Sequence, residues 1–176
     1  MELPVYGPPT ERDLKGPVLR VDGLVAESLQ LTPAALQRLP QRDFRNDFIC
    51  LEGWTVPDVK WGGVLLEVVL SIAKPDTGVR YVQASAGEFS VPLSIDRIGR
   101  VLIATRRDDR ALTAEHGGPF RLVVPDGDCF MQIKWLDHLE LRREPGANTA
   151  ERIALKRLAS QRPLPNDKQG LSGSMK

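Results

Sequence analysis

The chain has 176 residues, of which 41% are hydrophobic and 27% charged, and its formal net charge is +1. This length favours one domain with a single core, and the small net charge gives no indication of a nucleic-acid partner. No apolar run approaches the roughly 20 residues that a membrane-spanning helix needs. Because the first residues show neither a signal-peptide pattern nor a twin arginine, we expect a cytoplasmic protein without a membrane span.

The first half of the chain predicts short elements separated by turns. Residues 1–17 are rich in Pro and Gly and predict a surface arm. A strand over 19–25 turns at its Asp-Gly pair, and Thr32-Pro33 predicts the N-cap and first turn of a helix over 33–39. A buried strand over 47–51 and an apolar helix over 64–72 are predicted next.

The second half is richer in strands. Alternating or apolar runs bounded by Gly, Pro and Asp predict strands over 80–85, 88–93, 101–105, 121–124, 131–133 and 137–142. A last helix is predicted over 150–159. Many strands with few helices predict an α+β fold with a mixed, β-rich core and short helices. We divide the chain into an arm (1–17), a domain (18–145), a C-terminal helix (146–162) and a flexible tail (163–176).

Cysteine and histidine are scarce, which limits the possible metal chemistry. Each occurs twice, and the sequence contains neither CxxC nor CxxCH, so it encodes no disulfide scaffold, zinc ribbon or covalent haem. Any metal chemistry must come from a bound cofactor or from one thiolate. Cys50 follows an apolar strand and could supply a soft ligand to a transition metal, or it could be a small buried hydrophobe. For Cys129 we expect a plain loop thiol.

The segment from His116 to Lys134 combines glycines with three possible phosphate donors. The Arg121 guanidinium matches the geometry of a phosphate, and Lys134 adds a point charge within an apolar run. A charge in such a run needs a partner. A bound anion would supply one, and so would the carboxylate of Asp137 or Glu115. A tight turn with two solvated cations is a third reading.

Four stretches in order resemble the molybdopterin-binding domain of the sulfite oxidase family, in its small stand-alone prokaryotic type. They are CLEGW at 50–54, WGGV at 61–64, HGGPFRLVVP at 116–125 and IKWL at 133–136. The resemblance implies the fold of that family and molybdopterin in its monophosphate form as the cofactor. It also implies that the pterin dithiolene and Cys50 together hold molybdenum and that Cys50 is the catalytic residue. The positions that match cofactor contacts are Ser85, His116, Arg121, Gln132, Ile133 and Lys134.

Two departures from the family pattern concern the substrate. The arginine that sulfite oxidases carry shortly after the ligand cysteine is missing from Leu51–Trp54, and Thr105 stands in the place of their active-site tyrosine. Arg106 or Arg107 could substitute as an anion donor or could face water. Sulfite is therefore not the expected substrate. Trp54 could shape the substrate pocket, and Glu52 could carry a proton or be a surface carboxylate.

Two functional hypotheses follow from these residues. The first is a molybdenum-dependent oxidoreductase of oxygen-atom-transfer type that acts on a small molecule. Because the chain encodes no haem or iron–sulfur motif, it would need an external electron-transfer partner, namely a cytochrome, flavoprotein or ferredoxin. The second is a molybdopterin-binding module without turnover, for storage or assistance. The family's dimerisation domain is absent, so we expect a monomer or a weak dimer.

Overall fold

Two β-sheets form the body of the molecule. The computed structural model describes residues 18–161. In the first sheet the order from edge to edge is β2 (Leu29–Leu31), β1 (Leu19–Gly23), β10 (His138–Arg142), β5 (Tyr81–Ala86), β6 (Phe89–Ser94). Strands β1 and β10 run parallel, and the other neighbours are antiparallel. This sheet buries one face against the main core.

The second sheet is antiparallel and carries the sequence that leads into the candidate site. Its strands are β3 (Arg42–Ile49), β4 (Thr55–Leu65), β7 (Leu102–Arg107), β8 (Arg110–Ala111) and β9 (Arg121–Val123), with both β8 and β9 paired to β7. The β4–β7 register shifts between Gly62 and Gly63. A side chain at Gly63 would collide with the Ile103 carbonyl oxygen, so the glycine allows the two backbones to approach closely.

Within residues 18–161, three α-helices and three short 3₁₀ turns complete the fold. The helices are α1 (Pro33–Gln37), α2 (Leu66–Ala73) and α3 (Thr149–Gln161); the 3₁₀ turns are Ile95–Arg100, Ala114–His116 and Cys129–Met131. The Ala35 N–H donates to the Thr32 hydroxyl at 3.2 Å, which confirms the predicted N-cap. Among residues 18–161, no helix is long and apolar enough to cross a bilayer.

Buried side chains form two clusters. The larger one joins the first sheet, α2 and the residues of β9 and β10 that face inward. The smaller one lies within the second sheet around the fully buried Trp61, and Cys50, Trp54 and Cys129 pack against its edge. The second cluster therefore forms the floor beneath both cysteines.

The sheets and short helices confirm the predicted α+β class, but three predicted elements were wrong in extent or type. The strand predicted at 47–51 is the end of the longer β3, and residues 64 and 65 end β4 instead of beginning a helix. The strand predicted over 131–133 is absent: a 3₁₀ turn occupies Cys129–Met131, and Trp135 adopts a positive φ of 54°. Backbone hydrogen bonds to distant residues replace a strand ladder there, because the Trp135 N–H donates to the Gly117 carbonyl at 2.9 Å.

The C-terminal helix is present and packs on the domain. Helix α3 contacts β6 and the turn at Cys129–Met131. The boundary that we drew between the domain and this helix stays a prediction. The predicted arm (1–17) and flexible tail (163–176) lie outside the described residues.

Candidate cofactor site

One cavity of about 430 Å³ opens between the end of the second sheet, the segment that follows β9 and helix α3. Five of the seven residues that the sequence singled out line it, namely Cys50, Arg121, Gln132, Ile133 and Lys134. The other two, Ser85 and His116, are not among its lining residues. The cavity thus joins a thiol end, around Cys50, to a cationic end, around Arg121 and Lys134.

Cys50 is the first residue after β3 and lies in a tight turn. Its N–H donates to the Trp54 carbonyl at 2.9 Å, and its carbonyl accepts from the Gly53 N–H at 3.0 Å. Burial raises the pKa of the Cys50 thiol to about 11, and the neighbouring Cys129 and the Glu52 charge add to the rise, against a backbone hydrogen bond at Glu52 that lowers it. The thiol is therefore protonated at neutral pH.

Cys129 comes much closer to Cys50 than the sequence suggested. The two Sγ atoms lie 3.7 Å apart, although 79 positions separate the residues in the chain. The Leu51 N–H also donates to the Cys129 Sγ at 3.4 Å. We expected a plain loop thiol, and Cys129 instead lines the cavity beside the candidate ligand.

Arg121 forms the buried floor of the cationic end. Only 2% of the residue is exposed, and its guanidinium lies over the rings of Trp61 and Phe48, at 4.9 and 5.5 Å from their centroids. Its Nη1 donates to the His116 carbonyl at 3.0 Å. Within residues 18–161 no carboxylate pairs with it, and its Nε has no hydrogen-bond partner.

Lys134 adds a second cation to this end. Its Nζ donates to the Glu115 carbonyl at 3.1 Å and lies 5.7 Å from the centre of the Trp135 ring. Burial and then the charge of Arg121 lower the pKa of Lys134 to about 8. Burial and the charge of Arg107 lower the pKa of Arg121 to about 9. Both side chains are cationic at neutral pH, but the positive charge is destabilised, which favours an anion nearby.

The His-Gly-Gly stretch and the Lys134 segment pack as one unit. Gly117 has a φ of 92°, and a Cβ there would lie 2.7 Å from the Lys134 Cγ. The Trp135 indole N–H donates to the Ala114 carbonyl at 2.6 Å. The glycine therefore has two roles, since it adopts the left-handed conformation and leaves room for the lysine stem.

Gln132 and Ile133 connect the cationic end to the sheet. The Ile133 carbonyl accepts from the Leu122 N–H at 2.9 Å. Gln132 is buried, and its Oε1 has no partner among the described residues. Buried polar atoms without a partner are rare and costly in proteins. An unsatisfied acceptor on Gln132 and an unsatisfied donor on Arg121 therefore both indicate a polar ligand in the cavity.

Ser85 and His116 lie outside the cavity. Ser85 faces His138 across the β5–β10 pair, and its carbonyl accepts from the Asp137 N–H at 3.1 Å. His116 Nδ1 lies 3.0 Å from the Thr113 hydroxyl. Burial lowers the pKa of His116, and the charges of Arg107, Lys134 and Arg121 lower it further. The cofactor roles of Ser85 and His116 stay predictions.

Sequence reasoning missed one whole wall of the cavity. Helix α3 contributes Ile153, Ala154, Arg157 and Leu158, and aromatic rings from Phe89 and Phe130 extend the same wall. Thr149 as a cap predicted a helix here, but no sequence signal linked its face to the Cys50 segment. The wall makes this side of the cavity mostly apolar, with Arg157 as its cation.

Some of the residues discussed as substrate candidates line the cavity, and the others lie outside it. Trp54 lines the cavity and stacks on Phe48 at 5.5 Å, and its indole N–H donates to the Glu52 carboxylate at 3.2 Å. Arg106 pairs with Asp43 at 3.0 Å, and Arg107 pairs with Asp108 at 3.1 Å. Neither arginine lines the cavity, and Thr105 does not line it either.

The donor set fits molybdopterin. A soft thiol lies at one end of the cavity, where a transition metal would be ligated. The buried Arg121, whose Nε is unsatisfied, and the partly buried Lys134 lie at the other end, where a phosphate would be neutralised. The fold and the site thus define the class of a domain that binds an anionic, metal-carrying cofactor.

A comparison with protein families identifies that class more closely. The family model described as oxidoreductase molybdopterin binding domain matches residues 7–150. The chain belongs to this family, which confirms the resemblance seen in the sequence.

Known relatives and a solved structure agree with the assignment. An uncharacterized oxidoreductase YuiH from Bacillus subtilis is 30% identical over 129 residues, 72% of this chain and 65% of that protein. The putative protein-methionine-sulfoxide reductase subunit YedZ1 from Azospira oryzae is 28% identical, over 69% of this chain and 47% of that protein. The sulfane dehydrogenase SoxCD from Paracoccus pantotrophus matches the fold with a TM-score of 0.68 at 24% identity, over 73% of this chain and 38% of that one. The chain spans less than two thirds of the length of these relatives.

Proposed function

We propose that this protein is a molybdenum-cofactor-dependent oxidoreductase of oxygen-atom-transfer type. The observation that supports the proposal is one cavity with a cysteine thiol at one end and two desolvated cations at the other. Simple phosphate binding would not require the thiol, and a structural cysteine would not require the cations. Together they match molybdopterin in its monophosphate form, with Cys50 as the metal ligand and catalytic residue.

Each residue has a separate role in the proposal. The Cys50 sulfur ligates molybdenum, and the Arg121 guanidinium and the Lys134 ammonium neutralise the phosphate. Gln132 accepts a hydrogen bond from the pterin through its buried Oε1, and the backbone at Ile133 keeps this segment on β9. When bound, the cofactor supplies a metal that exchanges an oxygen atom with the substrate and cycles between Mo(VI) and Mo(IV).

Other side chains control access to the thiol end. Trp54 and Phe48 stack on each other in the cavity that Cys50 lines, and they would shield one side of a metal held there from water. The Glu52 carboxylate lies at the cavity edge, where it could exchange a proton with the substrate while the Trp54 indole orients it. His116 orients Arg121 through its carbonyl oxygen.

The proposed substrate is a small molecule other than sulfite. The arginine and tyrosine of sulfite oxidases are missing at the matching positions 51–54 and 105, and Arg106 and Arg107 are paired outside the cavity. Related proteins are named nitrate reductase, as in Fusarium oxysporum with 31% identity over 98 residues, or methionine-sulfoxide reductase subunit. A sulfoxide, a nitrogen oxide or another oxyanion is the class that we propose.

Electrons would come from a separate carrier, a cytochrome, flavoprotein or ferredoxin, because the sequence given contains no covalent-haem or iron–sulfur motif. We propose a cytoplasmic monomer or weak dimer.

The first test measures the cofactor directly. Protein purified from a host able to make molybdopterin is analysed for molybdenum by elemental mass spectrometry and for pterin by fluorescence after oxidation. We expect about one molybdenum per chain. In Cys50→Ala we expect pterin to remain and molybdenum-dependent reduction of sulfoxide or nitrate to fall to background. Well-folded wild-type protein without molybdenum or pterin would refute the proposal.

A binding module without turnover is the second candidate, favoured by the missing substrate arginine and tyrosine. Molybdenum electron paramagnetic resonance distinguishes the two, because an enzyme shows an Mo(V) signal during reductive titration. A loaded protein whose metal never changes oxidation state with dithionite and ferricyanide would be the storage or accessory module.

A further inference from the structure

The two cysteines form a pair that the family assignment does not explain. Their Sγ atoms lie 3.7 Å apart, and both thiols line the same cavity. Both side chains are half-buried and free. Ligation of molybdenum by Cys50 needs only one of them, so the position of Cys129 requires its own account.

The surroundings of the pair allow the two sulfurs to move together. A disulfide has a sulfur–sulfur bond of about 2.05 Å, so the sulfurs must approach by about 1.7 Å from their present contact. Cys50 lies in the turn after β3, which is open on the side of Gly53, where a Cβ would meet nothing within 4 Å. Cys129 begins a single 3₁₀ turn. Neither cysteine lies inside a sheet or an α-helix, and only the local backbone hydrogen bonds of the two turns hold them.

The hydrogen bonds of the pair also place Cys129 for reaction with Cys50. The Leu51 N–H donates to the Cys129 Sγ and the Cys129 thiol points to the Cys50 Sγ. The sulfur of Cys129 thus contacts both the backbone next to Cys50 and the Cys50 thiol itself. The cavity gives small thiol reagents access to both sulfurs.

We propose that Cys50 and Cys129 form a reversible disulfide in the cofactor-free protein, which removes the metal ligand from use. The oxidant is a small-molecule disulfide of the glutathione type. One cysteine thiolate attacks it, a protein–glutathione mixed disulfide forms and one glutathione thiolate leaves. The second cysteine thiolate then attacks the protein sulfur and displaces the other glutathione. Two protein thiols are oxidised to one disulfide, and one small disulfide is reduced to two thiols, which take up the two protons.

The consequence for the metal depends on the proposed function. A sulfur engaged in a disulfide cannot ligate molybdenum, because the ligand is the thiolate. Oxidised protein would accept the cofactor at Arg121 and Lys134 but would lack the protein's own sulfur ligand to the metal until a dithiol reduced it. A bound metal would in turn protect Cys50 from oxidation.

The test counts thiols in the full-length, cofactor-free protein. The protein is incubated with oxidised glutathione, alkylated with iodoacetamide and analysed by intact mass and peptide mapping. We expect the wild type to lose two hydrogen atoms, to take up no alkyl group and to yield a Cys50–Cys129 cross-linked peptide. Dithiothreitol should restore two alkylation sites. Persistent glutathione adducts, intermolecular dimers or two alkylated cysteines would overturn the proposal.

Matched variants keep the result interpretable. Cys50→Ser and Cys129→Ser should each keep one alkylatable thiol, or carry one glutathione, with circular dichroism unchanged from the wild type. Cys129→Ala serves if the serine disturbs the fold. A Cys129→Ser protein that takes up neither an alkyl group nor glutathione after the same oxidation would also overturn the proposal.

A parallel sample separates this inference from the proposed function. Protein loaded with molybdenum is treated in the same way. If the disulfide forms in cofactor-free protein and forms equally in loaded protein that keeps its metal, Cys50 is not the ligand but the disulfide stands. If no disulfide forms in cofactor-free protein, the inference fails whatever the metal content.

Discussion

The two ends of the cavity are built in different ways. At the cationic end Arg121 is 2% exposed and the loop from Ala114 to Phe120 is tied to the Lys134 segment by backbone and indole hydrogen bonds. At the thiol end Cys50 and Cys129 are half-buried, and each lies in a short turn at the edge of the smaller core cluster.

This difference matches what each end is proposed to bind. A phosphate needs donors that are dry and already in place, because desolvated charges interact strongly and ordering them later costs entropy. A metal that exchanges oxygen with a substrate needs an open position and a route from solvent. The predictions below alter one end at a time and are given from the largest expected effect to the smallest.

Removing the buried guanidinium should have the largest effect. In Arg121→Met we expect almost complete loss of pterin from the purified protein, because the buried phosphate donor is gone. The cofactor-free variant should be at least as stable as the wild type, since a buried charge without a carboxylate partner costs several kcal/mol. Pterin fluorescence and urea unfolding of cofactor-free protein measure the two quantities.

Arg106→Met is the control for that substitution. Arg106 is partly exposed and paired with Asp43 outside the cavity, so its loss should leave pterin content unchanged and lower stability by less than about 1 kcal/mol. Equal pterin loss in both variants would contradict a specific role for Arg121.

Two glycine substitutions compare the ends directly. Gly117→Ala should lower the free energy of unfolding by about 3 kcal/mol, because the left-handed conformation is strained for alanine and the methyl group overlaps the Lys134 stem. Gly53 has a similar φ of 87°, but a Cβ there would meet nothing within 4 Å. For Gly53→Ala we therefore expect only the backbone strain, about 1 kcal/mol. Chemical unfolding of both cofactor-free variants checks the ranking, and equal losses would contradict it.

The pH dependence of stability should report on Lys134. Its pKa is about 8 in the folded protein and 10.5 ordinarily. Between these values the unfolded chain binds more protons, so stability rises with pH across this window as the destabilised charge is lost. Lys134→Gln and Lys134→Arg do not titrate there and should lack this part of the rise. Urea unfolding midpoints from pH 7 to 10 measure this rise. Parallel curves for the wild type and the two Lys134 variants would contradict the contribution of Lys134.

Local sequence signals predicted those parts of the molecule that local interactions determine. The Thr32 cap, the α+β class and the helix at α3 follow from residues close together in the chain. The resemblance carried by four short stretches also placed Cys50, Arg121 and Lys134 in one site. These residues lie in the motifs themselves, so no knowledge of long-range packing was needed.

Tertiary contacts determine what the sequence did not predict. The approach of Cys129 to Cys50 joins loops 79 positions apart. The wall from α3 likewise depends on how that helix packs on β6 and the Cys129–Met131 turn. The run at 131–133 has the composition of a strand, but hydrogen bonds to Gly117 and Phe120 give the segment after it an irregular path. Apolar periodicity cannot distinguish such a segment from a strand.

The parallel pairing of β1 with β10 has a consequence for synthesis on the ribosome. Arg20 lies opposite His138 and Gly23 opposite Leu141. Strand β1 therefore cannot pair with its inner neighbour until β10 has been synthesised. The five-stranded sheet cannot close until the chain as far as Arg142 has emerged. Until then β1 and β5 both present unpaired edges, which a nascent chain must protect from association with other chains.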